Sequence, residues 1–197
     1  MTDIVLVRHG STSWTGRRYC GRSDPPLDAA GVAAARSLAG ELAPTLARDV
    51  LIVTSPARRA LETAAAVAGA AGVVDVEVDA RWHEVDFGIA EGRTFDELAA
   101  LDPELAAALA RGATDIDWPG GETAVELGSR VAAAWSALVR RARPALVVSH
   151  AGAIRVALAL ARSVPVDAVA VLEPATSVRI EGRPQEEESA RVLPSRP

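Results

Sequence analysis

Lysine and asparagine are absent from these 197 residues, and cysteine occurs once, as Cys20. Without lysine there is no Schiff-base amine and no P-loop lysine; without asparagine there is no Cys-His-Asn triad. A single cysteine closes no internal disulfide, which fits a reducing compartment. No apolar run approaches the ~20 residues that cross a bilayer, and Met1-Thr2-Asp3 lacks the basic start of a secretory leader. A cytoplasmic location is therefore expected. A net charge of −5 argues against a nucleic-acid or anionic-membrane surface.

What is present suits one globular domain. Hydrophobic residues make up 49% and charged residues 24%, and a chain this long needs neither disulfides nor a structural metal to close a core. Every permanent side-chain cation is arginine, the residue built for bidentate contact with phosphate or carboxylate.

Three apolar runs set the organisation. Ile4 to Val7 reads as a buried strand and stops at Arg8-His9-Gly10-Ser11-Thr12. Val50 to Val53 ends in Thr54-Ser55-Pro56, and Ala145 to Val148 ends in Ser149-His150-Ala151-Gly152. Helices are expected between them: from an Asp28 cap to about Ala43, over 57–71 closed by Gly72, from the Thr94/Glu97 capping box to about Leu101, and from Pro103 to Gly112. Others run from Thr123 through Val139 and from about Ala153 to Arg162. Asp75 to Val78 and Ser177 to Glu181 supply two more short strands, with 190–193 as an antiparallel edge and 184–189 as a mobile loop. Strands alternating with helices predict a three-layer α/β/α fold around a mainly parallel sheet, spanning 1–197 with a short inserted flap over about 88–120.

In such sheets ligands bind outside the carboxyl ends of the strands. If the three runs are neighbours, Arg8, His9, Arg58 and His150 converge on one anion site that contains a nucleophile. Arg58 and Arg59 fall in a helix's first turn, where the dipole disfavours cations, so an anion should compensate. A metal centre of His9, His83 and His150 lacks ligand spacing and would face the cation Arg8. A Gly-x-Ser-x-Gly elbow for a serine hydrolase is missing. Phosphoryl chemistry fits best: arginine neutralises the oxygens and one histidine attacks phosphorus.

Leu6-Val7-Arg8-His9-Gly10 with Thr12 resembles the Arg-His-Gly signature of the histidine phosphatase superfamily, in its phosphoglycerate-mutase-like branch. Further segments match in the family's order: Gly21 to Leu27 with Gly31, Thr54 to Ala60 with Glu62-Thr63-Ala64, Glu84 to Gly88 with Glu91-Gly92, Gly120 to Thr123 with Arg130, and Val147 to Gly152. The resemblance implies His9 as a nucleophile forming a phosphohistidine, with Arg8, Arg58 and His150 holding the phosphoryl oxygens. It favours Glu84 over Asp86 as the proton donor. Thr12, Arg22 and the Ala151 backbone are implied as lining, and His83 has no matching role and reads as structural or rim. Glu91 and Glu122 read as helix caps as readily as ligands.

Ser11 and Thr15 replace the Glu and Asn that mutases of this branch show, Trp14 is kept, and the 88–118 insert is short. These departures favour hydrolysis. The expectation is a phosphomonoesterase of small phosphorylated metabolites, using no metal and no cofactor, with no nucleic-acid or membrane partner; the number of copies is open, a dimer included. A 2,3-bisphosphoglycerate-dependent phosphoglycerate mutase is the alternative, as is an enzyme like the α-ribazole phosphatases, whose Gly-Arg-x-Asp variant matches Gly21 to Asp24. A non-catalytic phospho-ligand binder ranks below both.

Overall fold

The computed structural model describes residues 2–182. The chain runs β1 (Thr2–Arg8), α1 (Ala29–Leu42), β2 (Leu51–Thr54), α2 (Arg58–Ala71), β3 (Val76–Val78), α3 (Phe95–Leu101), α4 (Pro103–Ala110), α5 (Ala124–Arg140), β4 (Ala145–Ser149), α6 (Ala151–Arg162) and β5 (Ser177–Gly182). The strands form one sheet in the order β3-β2-β4-β1-β5, with β5 antiparallel to β1 and every other pairing parallel. The α/β fold with a mainly parallel sheet is as expected. The segments at 184–189 and 190–193 lie outside the described residues.

Period-two alternation divides the strands between two cores. Ile4, Leu6, Leu51, Val53, Ala145 and Val147 face α5 and α6, meeting Val131, Trp135, Leu138, Ile154 and Leu158. Val5, Val7, Ile52, Leu146 and Val148 face the other way, onto Leu38 and Leu42 of α1 and Ala60, Ala64 and Val67 of α2. Because both faces are covered, the strands read as continuous apolar runs rather than as alternating ones. Each such buried Leu or Ile contributes about 1.5–3 kcal/mol. The segment 88–120 holds a short 3₁₀ turn, α3 and α4, packed over a third cluster of Val85, Ala90, Leu98, Leu105 and Trp118.

The helix ends follow their sequence signals. Asp28 accepts the Gly31 N–H ahead of α1, and Thr94 and Thr123 each form a capping box ahead of α3 and α5. Gly72 closes α2 in the left-handed conformation. One boundary differs. α6 begins at Ala151, two residues before the expected start, because His150 is already its extended N-cap residue. That shift puts the amino end of α6 directly beside the second histidine.

Candidate active site

The register of the sheet sets the site. Arg8 is paired with Ser149, and Val148 with Thr54, so the carboxyl ends of β1, β4 and β2 stand side by side. His9 N–H donates to the Ser149 carbonyl at 3.0 Å, and Ser55 N–H to the Val148 carbonyl at 3.0 Å. Each chain is thereby held through the first residue past its strand. His9, Ser55 and His150 emerge together, all three buried.

His9 lies edge-on to His150, with ring centroids 4.9 Å apart. Its Nδ1 is 2.7 Å from the Gly10 carbonyl oxygen, which can only accept, so Nδ1 carries the proton and Nε2 keeps its lone pair. Facing that lone pair at 3.3 Å is Nε of Arg59. Burial, then the Arg59 and Arg8 cations, push the imidazole down to about 3, although the Gly10 carbonyl opposes them. His9 is accordingly a neutral imidazole held in one orientation.

The guanidinium in this cluster is that of Arg59, and not of Arg58 as the sequence suggested. Arg59 is 1% exposed and donates to the carbonyls of Ser23 (2.7 Å), Cys20 (3.1 Å) and Gly21 (2.9 Å). The Arg58 side chain is 59% exposed and pairs with Glu62 at 2.8 Å, one turn further along the outer face of α2. Arg58 is the first residue of α2, so its backbone N–H donates to Asp24 at 2.6 Å. The anion expected at this helix start is therefore Asp24, with Glu62 behind it. The helical stripe was a usable signal: Arg59, Thr63 and Val67 follow at i, i+4 and i+8 on the buried face. Thr63 Oγ1 accepts the Gly10 N–H at 3.1 Å, which ties that stripe to the nucleophile loop.

His150 is fully buried, and its Nε2 is 2.8 Å from Ser55 Oγ. That hydroxyl also receives the Ala57 N–H at 3.3 Å. His150 Nδ1 is left without a partner, as is the buried Nε of Arg8, whose Nη1 donates to the Leu172 carbonyl at 2.5 Å. Burial and the nearby His9 and Arg59 depress His150 well below the ordinary histidine range. Unfilled nitrogens on Arg8 and His150 with a guanidinium at Arg59 make a cage suited to an anion, beside the amino end of α6.

Glu84 is the carboxyl that reaches the cage. It is buried, and its oxygens accept the Gly152 N–H at 3.1 Å and the Ala153 N–H at 3.3 Å in the first turn of α6. A Cβ at 152 would lie 2.5 Å from Glu84 Oε1, so a larger residue there would displace the carboxyl. Glu84 also counters the Arg8 cation, which burial otherwise pulls down. Asp86, the other candidate donor, instead accepts the Gly88 N–H at 3.0 Å and lies 3.8 Å from Arg22.

The segment carrying Glu84 is held partly by Glu122, which the sequence left open between helix cap and ligand. Arg130 meets Glu122 through two contacts of 2.7 and 2.6 Å and donates to the carbonyls of Arg81, His83 and Glu84. Ser149 Oγ donates to the Trp82 carbonyl at 2.7 Å. Glu91 accepts the N–H groups of Gly21 and Ser23, fixing the loop whose carbonyls grip Arg59. Beside the cage opens a cleft of about 480 Å³ lined by Arg22, Asp86, Glu122, Glu126, Ser129 and Arg130. Arg22 thus belongs to the cleft. Thr12 is buried with its hydroxyl turned into its own loop, accepting the Trp14 N–H at 3.2 Å. Ala151 is the first residue of α6.

Comparison with known proteins meets this geometry. Residues 4–192 match the family model of the histidine phosphatase superfamily, branch 1. The chain belongs to the histidine phosphatase superfamily. Among its relatives is the probable phosphoglycerate mutase GpmB of Salmonella paratyphi C, 39% identical over 76% of this chain and 70% of the other. The corresponding protein of Citrobacter koseri is 40% identical over the same shares. Among solved structures, the mycobacterial glucosyl-3-phosphoglycerate phosphatase superposes with a TM-score of 0.80 at 30% identity, over 90% of this chain and 89% of that one. YhfR of Bacillus stearothermophilus does so at 0.81 and 30%, over 92% and 91%. The solved structures that it resembles thus include a phosphatase, and its curated relatives include proteins named as mutases.

Proposed function

We propose that the chain is a phosphomonoesterase that hydrolyses small phosphorylated metabolites through a phosphohistidine on His9. The observation that carries this is the state of His9: neutral, with Nδ1–H tied to a carbonyl and Nε2 aimed at a buried guanidinium. A phosphoryl group entering the cage places its oxygens against Arg8 Nε, Arg59 and His150 Nδ1, and neutralisation falls to arginine rather than to a metal. His9 Nε2 attacks phosphorus, the ester P–O bond breaks, and the Glu84 carboxyl gives its proton to the departing alkoxide. A water then attacks the phosphohistidine as Glu84 takes a proton back, which releases inorganic phosphate and restores both groups. Proton transfer of this kind is worth about 10²–10⁴-fold.

The relatives named as mutases give the second reading, in which the phosphohistidine passes to a second hydroxyl. Hydrolysis is favoured by the loop after the nucleophile. Ser11 Oγ is engaged with Asp28 at 2.8 Å, and Thr15 Oγ1 accepts the Thr12 N–H at 2.9 Å, so neither of these short side chains is free to cover the phosphoryl group. The test is turnover with p-nitrophenyl phosphate and with 3-phosphoglycerate plus 2,3-bisphosphoglycerate. Phosphate release should dominate, and quenching without acid should leave an acid-labile phosphate on the His9 peptide. Phosphate found on Ser11 or Thr12 would end the phosphohistidine mechanism. Isomerisation faster than phosphate release would hand the assignment to the mutase.

A further inference from the structure

Among the described residues, three buried side-chain nitrogens lack a hydrogen-bond partner: Arg8 Nε, His150 Nδ1 and His83 Nδ1. The first two face the phosphoryl cage. The reaction as described leaves the third unused, although an unfilled buried nitrogen is costly to keep. The His83 ring lies parallel to that of His150, with 8° between planes and 6.1 Å between centroids, so it forms part of the cage wall. Its backbone carbonyl accepts from Arg130 at 2.9 Å, and it directly precedes Glu84. The cations that bear on it are Arg22 and Arg130, which line the cleft, and Arg59, which belongs to the cage. His83 therefore lies between His150 of the cage and Arg130 of the cleft, next in the chain to Glu84.

We propose that His83 binds the departing alcohol and selects monoesters whose alcohol carries further hydroxyl groups, as in a polyol or sugar phosphate. The proposal rests on the phosphatase reading and names its substrate class. Burial and the surrounding guanidiniums push the imidazole down to about 4, so at neutral pH it is uncharged. A neutral imidazole offers one donor and one acceptor, which complements a hydroxyl and gives no attraction to a second anion. The cleft agrees. Asp86, Glu122 and Glu126 outnumber Arg22 and Arg130, and Arg130 is already neutralised by Glu122. A second phosphate or a carboxylate would meet carboxylates there, whereas hydroxyl groups find donors and acceptors among Arg22, Asp86, Glu126 and Ser129.

The experiment compares glucose 6-phosphate with n-hexyl phosphate, two primary alkyl esters that differ in their hydroxyl groups, using wild-type protein, His83→Leu and His83→Gln. The wild-type protein should prefer the sugar ester. His83→Leu should lower the ratio of kcat/KM for glucose 6-phosphate over hexyl phosphate about tenfold, mainly through KM, the size of one hydrogen bond. His83→Gln, which keeps an amide donor and acceptor, should recover most of the ratio. A His83→Leu protein that loses both esters in parallel, or neither, overturns the proposal, as does a wild-type preference for hexyl phosphate or 3-phosphoglycerate. Dissociation constants of the same two esters, measured in His9→Ala with and without His83→Leu, read the same ratio with no turnover. If wild-type protein releases no phosphate while the binding ratio still falls, the phosphatase reading fails and the role of His83 stands. If the binding ratio is unmoved, the role of His83 fails.

Discussion

The phosphoryl cage and the cleft beside it use the same residue types in opposite ways. In the cage, Arg59 is gripped by the neutral carbonyls of Ser23, Cys20 and Gly21, and among the described residues no carboxylate forms an ion pair with it. In the cleft, Arg130 is matched oxygen for nitrogen by Glu122, and Arg22 lies within 4.0 Å of both Asp86 and Glu122. A cation positioned by dipoles keeps its field for an incoming anion, whereas one positioned by a carboxylate has its field cancelled. The cage is thus an anion binder and the cleft a polar wall of mixed sign. On the reading proposed above, the same amino acids serve catalysis in one place and selection in the other because their partners differ.

Removing the cage cation should give the largest effect. Arg59→Ala deletes the guanidinium nearest His9 Nε2 and should lower kcat/KM for p-nitrophenyl phosphate by about 10³-fold, the upper range for loss of one preorganised donor. It also removes the leading charge that depresses His9, so the imidazole should titrate higher, which histidine resonances in NMR would read directly. Retained activity, or a His9 titration that does not move, breaks the contrast between cage and cleft.

Acid should weaken the fold by an intermediate amount, and mostly through the cage. His9 falls to about 3, His83 to about 4 and His150 well below its ordinary value, against about 6.5 in the unfolded chain. Between pH 6.5 and about 4, the unfolded chain therefore binds protons at histidines that the folded chain keeps neutral. Stability is full above pH 6.5 and is lost as pH falls toward the folded values, the buried His9 and His150 each adding up to about 1.4 kcal/mol per pH unit and the partly exposed His83 less. The urea midpoint should drop steadily from pH 7 to 4.5, and His9→Gln should flatten the slope. A midpoint independent of pH over that range means that the buried imidazoles are not held neutral.

The sheet was legible because its strands are buried on both faces and so appear as unbroken apolar runs. The site was legible wherever a functional group ends such a run, as Arg8, His9 and His150 do. Arg59 was not, because what places it is the backbone of Cys20, Gly21 and Ser23, and carbonyl groups leave no mark in a sequence. The buried stripe Arg59-Thr63-Val67 was the available signal. Glu122 and Glu91 stayed open between cap and ligand, since a carboxylate near a helix looks the same whether it caps or tethers. What they tether lies far off in the chain: the segment of Glu84 to Asp86 for one, the Gly21 loop for the other. His83 escaped for a related reason. Its meaning lies in a stacked neighbour 67 positions away and in a nitrogen that nothing fills.

The smallest expected effect is the sharpest check on which of two adjacent arginines belongs to the cage. Arg58 differs from Arg59 by 100° around α2, which turns its side chain out to solvent and onto Glu62. An exposed i,i+4 pair of this kind is worth about 0.3–0.5 kcal/mol. The part of Arg58 that matters to the fold is its backbone N–H, bonded to Asp24, and alanine keeps that group. Arg58→Ala should therefore leave kcat/KM within about twofold and cost less than about 1 kcal/mol in a urea titration. Glu62 has a second duty, since its other oxygen accepts the Leu27 N–H at 2.8 Å. It stays in place when Arg58 is cut back, so no slack should reach the loop that grips Arg59. If Arg58→Ala instead lost activity on the scale of Arg59→Ala, the outward arginine would have to swing into the cage on substrate binding. The division between a cation held by carbonyls and one held by a carboxylate would then no longer separate the catalytic residue from its neighbour.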